Sequence, residues 1–281
     1  MGSSTISLGL GLGGGKSATS SGSPTGGGAF PNQYSLDFDG VDDELTIPQG
    51  TFNLGSGVFS FSFWFNADSL NAYNAFFNIS SNNTVKFTTF VTSGGDIFCS
   101  NWNYDNITAS GNTITTGTWY HVAFVKSTAG NSGVFKIYLD GNPLTTSPTN
   151  GIMAQGSTFG SEDSTSTIGK TYNATYPYPF DGKIDEFAFW DSALSATDVA
   201  ALRDTTGSNP VPADIKTLNP VGWWRMGDGS DGSGNNDGTV VGSLPQIYNV
   251  ATDGSGNRIT GIDGSMTNIA PPNGIVTDVP S

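Results

Sequence analysis

The side chains of this sequence with chemistry to offer are carboxylates and aromatic rings. Asp39 and Asp43 follow one alternating stretch, and Asp185 and Glu186 lie in another. Gathered in space, such groups supply the hard oxygens that a Ca²⁺ ion takes at roughly 2.3–2.6 Å. In a chain of formal net charge −14, clustered acids repel one another unless a cation sits between them. The plainer reading is turn formation, because Asp39-Gly40 and Asp181-Gly182 are good turn pairs. Calcium is the only cofactor to be expected, with Asp185 its leading ligand.

The second chemistry is sugar recognition. Aromatic faces stack on the C–H surface of a sugar ring while Asn and Asp fix its hydroxyls. Tyr172, Tyr176 and Tyr178 fall in one loop-like stretch, and Trp102 and Tyr104 in another. The alternative for these rings is packing on the domain or on a neighbouring subunit, since aromatics also anchor protein interfaces. Trp223 and Trp224 follow a proline-rich stretch and are candidate assembly contacts. Burial as an extra strand is their alternative, favoured for Trp223 and open for Trp224.

Catalytic patterns do not emerge. A retaining glycosidase needs two carboxyls about 5–5.5 Å apart, but Asp185 and Glu186 are adjacent and on a regular strand would face opposite sides. Glu162-Asp163 sit in a Gly/Ser-rich stretch with no third acid at the right spacing. The sequence has no Gly-x-Ser-x-Gly elbow and no phosphate loop with its Lys. The Asp228–Asp237 stretch lacks the spacing and the final Glu of a calcium-binding loop. His121 has no nearby His or Cys and reads as a core or sheet-face residue. Cys99 is the single cysteine, so no internal disulfide forms, and it reads as a small buried apolar group. The sequons at Asn78, Asn82, Asn106 and Asn173 are expected by chance in so Asn/Thr-rich a chain.

Charge narrows the partners. Only 12% of residues are charged, yet the pI is about 4.1. A polyanionic surface repels phosphate backbones and anionic membranes, so nucleic acid and membrane are both disfavoured. No apolar run approaches the ~20 residues of a membrane-spanning helix. The start lacks a basic segment and a sufficient apolar run, so no signal peptide is expected.

The elements that position these residues are strands. Two-thirds of residues 1–30 are Gly, Ser or Thr, and the stretch reads as a flexible arm, or as one that orders against a partner. From Tyr34 apolar residues alternate, most clearly at Phe59, Phe61, Phe63 and Phe65, which gives strands with one core face. Further strands are expected at 75–79, 84–91, 97–102, 120–126, 134–139, 166–168 and 183–190, with Asp140-Gly141 as a tight hairpin turn. One helix is expected after Ser195, where Ser195 and Asp198 form a capping box. Beyond Gly207 the chain is Pro/Gly/Asn/Asp-rich, with short strands expected at 222–226, 239–241 and 246–250. The expected organisation is an arm over 1–30, an all-β antiparallel sandwich over 31–206 and a loop-rich extension over 207–281.

A series of short motifs resembles laminin-G-like, concanavalin A-type jelly rolls. It runs from Ser35-Leu-Asp-Phe-Asp-Gly through Phe59–Phe65, Trp119-Tyr-His-Val-Ala-Phe and Lys136-Ile-Tyr-Leu-Asp-Gly. Ile168-Gly169, Phe180–Glu186 and Trp190–Ser195 complete it. The resemblance implies a rim or sheet-face calcium site and a pairing of first and last core strands that brings Asp39 and Asp43 near Asp185 and Glu186. It also implies ligand binding by rim loops such as 172–178. The glucanases of this fold carry a Glu-x-Asp-x-x-Glu strand, which is not found here, so a non-enzymatic protein is expected.

The flanks, 1–30 and 207–281, are similar to those of structural proteins of tailed marine bacteriophages. That implies a virion location, partners among other virion proteins and copies of itself, and a displayed sandwich with weak glycan adhesion as surface decoration or fibre. The alternative is a free calcium-dependent lectin, and a degraded glycanase stands third.

Overall fold

The structure is a computed structural model. It describes residues 32, 34–47, 52, 54, 57–81, 84–100, 106–127, 134–147, 166–171, 175–226, 265–267, 275–276 and 278–280. Period-two patterning dominates it. The first seven strands are β1 (Ser35–Asp39), β2 (Glu44–Ile47), β3 (Phe59–Ala67), β4 (Asn74–Ser81), β5 (Thr84–Val91), β6 (Ile97–Ser100) and β7 (Asn106–Ala109). They are followed by β8 (Trp119–Lys126), β9 (Phe135–Leu139), β10 (Asn142–Pro143), β11 (Ser166–Ile168) and β12 (Asp181–Trp190). Helix α1 (Ala196–Ala201) precedes β13 (Arg203–Asp204), β14 (Val211–Pro212) and β15 (Gly222–Trp224). Two C-terminal strands, β16 (Ser265–Thr267) and β17 (Ile275–Val276), complete the set.

Two antiparallel sheets face each other. One runs β10-β9-β8-β3-β12-β1-β17, with β15 also paired to β12; the other runs β16-β2-β11-β4-β5-β6-β7. The expected all-β sandwich with one short helix is what forms. Between the sheets lies an aromatic core. Phe61 of β3 reaches Phe77 of β4 at 4.6 Å and Phe189 of β12 at 4.9 Å, ring centre to ring centre. Each buried ring of this size contributes roughly 1.5–3 kcal/mol.

The Asp140-Gly141 turn has positive φ at both residues, +51° and +78°, as a two-residue hairpin requires. Helix α1 starts as expected: the Asp198 amide donates to Ser195 Oγ at 3.1 Å, and the Ser195 amide to Asp198 Oδ2 at 2.9 Å.

The outer face of the β3 sheet departs from simple alternation. All nine residues of β3 are buried. Residues 191–225 fold back over that face: the Ser60 hydroxyl donates to Ser192 O and accepts from the Leu194 amide, and Trp190 Nε1 donates to Leu218 O. Ser62, Trp64 and His121 thereby become interior. The expected strands at 239–241 and 246–250 lie outside the described residues. Strand β7 was not expected; its polar–apolar alternation runs over only four residues, Asn106–Ala109, too short a stretch to stand out.

Candidate glycan platform and acidic turn

The β1–β2 turn is built by side chains that bond its own backbone. Asp39 Oδ1 accepts from the amides of Val41 and Asp42, and Asp43 Oδ2 accepts from the Asp39 amide at 2.8 Å. Gly40 is required here: φ is +73°, and a Cβ would lie 2.7 Å from Asp181 Cβ. The turn draws the carboxylates of Asp39, Asp42 and Asp43 within 4.8 Å of one another.

Asp43 is 6% exposed, and its Oδ1 has no hydrogen-bond partner among the described residues. Burial raises its pKa and the charges of Asp39 and Asp42 add to that, against the lowering effects of the Asp39 amide and Lys170. Lys170 Nζ approaches Asp42 O at 3.1 Å and Glu44 Oε2 at 3.3 Å. A buried unsatisfied carboxylate oxygen beside two exposed carboxylates is a donor set that fits a hard divalent cation.

The expected four-residue metal cluster is corrected. Strands β1 and β12 pair, but the register sets Asp39 opposite Asp181. Asp185 is four residues further along β12, about 13 Å away. A bulge between Asp185 and Ala188, with Glu186 at φ +51°, lets Ile184, Phe187 and Phe189 all reach the core. Asp185 and Glu186 are left outside it, with partners of their own. Asp185 accepts from Asn32 Nδ2 at 2.9 Å and from the Glu186 amide at 2.8 Å. Glu186 accepts from Trp223 Nε1 and, at 3.0 Å, from Arg225 Nε. Sequence reasoning missed Asp42, although the run Asp42-Asp43 was visible.

Tyr176 and Tyr178 stand on the outer face of the β4–β5–β6 sheet. Their rings stack at 6.0 Å and 20°, and Tyr73, missed from sequence, packs on Tyr178 at 5.1 Å. Beneath them Phe90 and Phe98, paired across β5 and β6, stack at 4.8 Å. Thr171 fixes the loop by donating its hydroxyl to Tyr176 O and Pro177 O. Tyr176 is 52% exposed and Tyr73 45%, so this platform of rings is open to solvent. Desolvation, then the neighbouring tyrosines, raise the Tyr178 pKa. Tyr172, Trp102 and Tyr104 lie outside the described residues.

The assembly role expected of Trp223 and Trp224 is also corrected. They are 1% and 0% exposed. Strand β15 pairs Trp224 with Phe187 and Trp223 with Ala188, and Trp224 enters the core beside Phe52 and Phe187, each 5.7 Å away. Neither presents a surface to a partner. His121 is 1% exposed; desolvation first, then the Arg203 charge, lowers its pKa to about 3. Cys99 is buried in the core and its thiol pKa is pushed up by desolvation.

Residues 39–200 match the model of the family described as the concanavalin A-like lectin/glucanases superfamily, more than half of the chain. The chain belongs to that superfamily. No curated protein sequence matches this lectin/glucanase-superfamily chain. Among solved structures, it is similar to a protein from Bacteroides ovatus described as a candidate carbohydrate binding protein. Identity is 17%, TM-score 0.55, and the alignment covers 88% of this chain. The chain spans 60% of that protein's length. A heptameric SAP-like pentraxin from Limulus polyphemus aligns at 19% identity and TM-score 0.48, covering 63% of this chain and 84% of the pentraxin. The Ruminococcus gnavus IT-sialidase CBM40 bound to α2,6 sialyllactose aligns at 14% and 0.46, covering 62% and 98%. At 17% identity the likeness to the Bacteroides ovatus protein is one of fold. No helix among the described residues is long and apolar enough to cross a membrane.

Proposed function

We propose that this protein is a non-enzymatic glycan-binding protein that engages sugar on the Tyr73–Tyr176–Tyr178 platform. The observation that carries the reading is the stacked, half-exposed tyrosine pair on an outer sheet face. Exposed rings held in place by aromatic packing lose little entropy on binding, and C–H faces of a sugar ring match them. The superfamily and the fold shared with the Bacteroides ovatus protein are consistent with this role. A calcium ion held by Asp39, Asp42 and Asp43 would neutralise the turn beside Asp181, which opens the strand following the platform loop.

A non-catalytic role fits the carboxylates of the β12 bulge. Glu186 is engaged by Arg225 and Trp223, and Asp185 by Asn32 and a backbone amide. Both are buried, so neither stands in an open cleft to exchange a proton with substrate.

The setting we propose is a tailed-phage particle. Its support is the character of the flanks: the Gly/Ser/Thr-rich start, 1–30, and the Pro/Gly/Asp-rich extension, 207–281, are similar to those of virion proteins. Weak single-site affinity becomes useful there through multivalency. The full chain, printed on an array of neutral and acidic glycans, is expected to retain at least one class, and Tyr176→Ala to lose it. An array profile of Tyr176→Ala identical to that of the full chain sinks the platform reading. Light scattering on the full chain and on a chain lacking residues 1–30 tests the particle setting; identical monomers in both would sink it.

A further inference from the structure

On the opposite side of the sandwich, the outer face of β3 and β8 carries a groove of about 460 Å³. Its size lies within the range of small-molecule sites, about 300–1,000 Å³. Five separate chain segments build it. Trp64 and Asn66 come from β3 and Trp119 from β8; Asp140 comes from the hairpin turn, Arg203 from β13 and Asp278 from the C-terminal end.

The charges of this groove are already matched. Arg203 Nη2 lies 3.5 Å from Asp140 Oδ1, and its Nη1 donates to Asp140 O. Asp140 Oδ1 also accepts from the His121 amide at 3.1 Å. Asp278 Oδ1 accepts from Trp119 Nε1 at 3.0 Å, and Asp278 Oδ2 lies 3.7 Å from Lys183 Nζ. An added anion would meet Asp140 and Asp278; an added cation would meet Arg203.

The unspent capacity is neutral. Asn66 is 3% exposed and its Oδ1 has no partner among the described residues; Arg203 Nε, also buried, has none either. A buried polar atom without a partner is destabilising, and a bound group that pairs it recovers that cost. The Arg203 guanidinium lies 5.8 Å above the Trp64 ring and occupies that face. Trp119 is half-buried and gives the groove its remaining indole surface.

We propose that this groove is a second glycan site, separate from the tyrosine platform, that takes an uncharged pyranose ring. Sugar hydroxyls both donate and accept, so one ring serves the Asn66 acceptor and the Arg203 donor together. Its C–H face packs on Trp119. The proposal does not depend on the platform binding sugar.

The test is NMR of the full chain, following the Trp119 indole N–H, with methyl α-glucoside, methyl α-mannoside and methyl β-galactoside as probes. N-acetylneuraminic acid and glucosamine serve as charged controls. One neutral glycoside is expected to shift the Trp119 signal saturably. Trp119→Ala is expected to weaken that binding at least ten-fold, and Tyr176→Ala to leave it unchanged. Arg203→Lys, which keeps the charge and removes Nε, gives the same readout should Trp119→Ala fail to fold. The proposal is overturned if no neutral glycoside moves the signal, if a charged control moves it more, or if Tyr176→Ala removes the binding. Loss of array binding in Tyr176→Ala with an intact Trp119 response supports two independent sites. An intact Trp119 response with no platform binding overturns only the platform.

Discussion

Arg225 Nε lies 3.0 Å from Glu186 Oε1, and both side chains are at most 5% exposed. The pair joins the β12 bulge to the chain just beyond β15, with the Arg225 guanidinium 5.3 Å over the Trp223 ring and Trp223 Nε1 on the other carboxylate oxygen. Removing one member of a buried pair leaves the other uncompensated, which costs about 3–5 kcal/mol. Arg225→Met is therefore expected to lower stability by that order in urea unfolding. The double variant Glu186→Gln/Arg225→Met should recover part of the loss. Additive losses would show that the two residues act independently.

His121 makes stability depend on acid. Its folded pKa is lowered to about 3, whereas the unfolded value is 6.5. Between those values the unfolded chain binds the extra proton, so stability falls as pH drops below about 6.5. By pH 5 the loss amounts to about 2 kcal/mol. Asp37 and Asp43, whose pKa values are raised chiefly by burial, work in the opposite direction above pH 3.8. The comparison of wild type with His121→Gln isolates the histidine: the difference in stability between pH 7 and pH 5 should shrink in the variant. An unchanged difference would place the acid sensitivity elsewhere.

Calcium is expected to raise the melting temperature. At a ligand concentration of 100 times Kd the linkage is about 2.7 kcal/mol, or about 5–11 °C at the roughly 2–4 °C per kcal/mol of a chain this large. Millimolar CaCl₂ against EDTA, with MgCl₂ as control, reads it. Asp43→Asn should abolish the shift, because it removes the buried carboxylate whose Oδ1 is unsatisfied. A shift that survives in the variant would locate the ion away from the β1–β2 turn.

Gly182 is the point where the outer groove depends on a backbone contact. Its φ is +136°, and a Cβ there would lie 2.2 Å from Asn66 O. Gly182→Ala is expected to cost about 1–3 kcal/mol or more in thermal unfolding and to weaken the Trp119 response, since Asn66 must shift. Full retention of both would show that the strand relaxes around the methyl group.

The sequence disclosed what local spacing controls. Alternating phenylalanines in β3, the Ser195–Asp198 capping box and the Asp140-Gly141 hairpin all formed where expected. What it hid depends on register and on distant chain. The β1–β12 register set Asp181, not Asp185, opposite Asp39, and the bulge at Asp185–Ala188 re-aimed the residues after it, so that Glu186 leaves the core. Burial of both tryptophans in 223–224 reflects the pairing of β15 with β12, which local patterning does not specify. The outer groove draws residues from positions as far apart as Trp64 and Asp278, a combination no window of sequence contains. On the platform, Tyr176 and Tyr178 were visible as loop aromatics, but Tyr73 joins them only through tertiary packing.

The short strands β16 and β17 occupy opposite sheets, β16 against β2 and β17 against β1. In each sheet the partner is the strand that would otherwise form the rim. Ser35 Oγ, donating to Asp278 O at 2.7 Å, fastens the second of these closures. The tail thus acts as a guard against self-association: a chain ending before Ser265 would present two rows of unpaired amides and carbonyls, one per sheet, as templates for foreign strands. Such a shortened chain should aggregate with time and concentration even where its core remains folded.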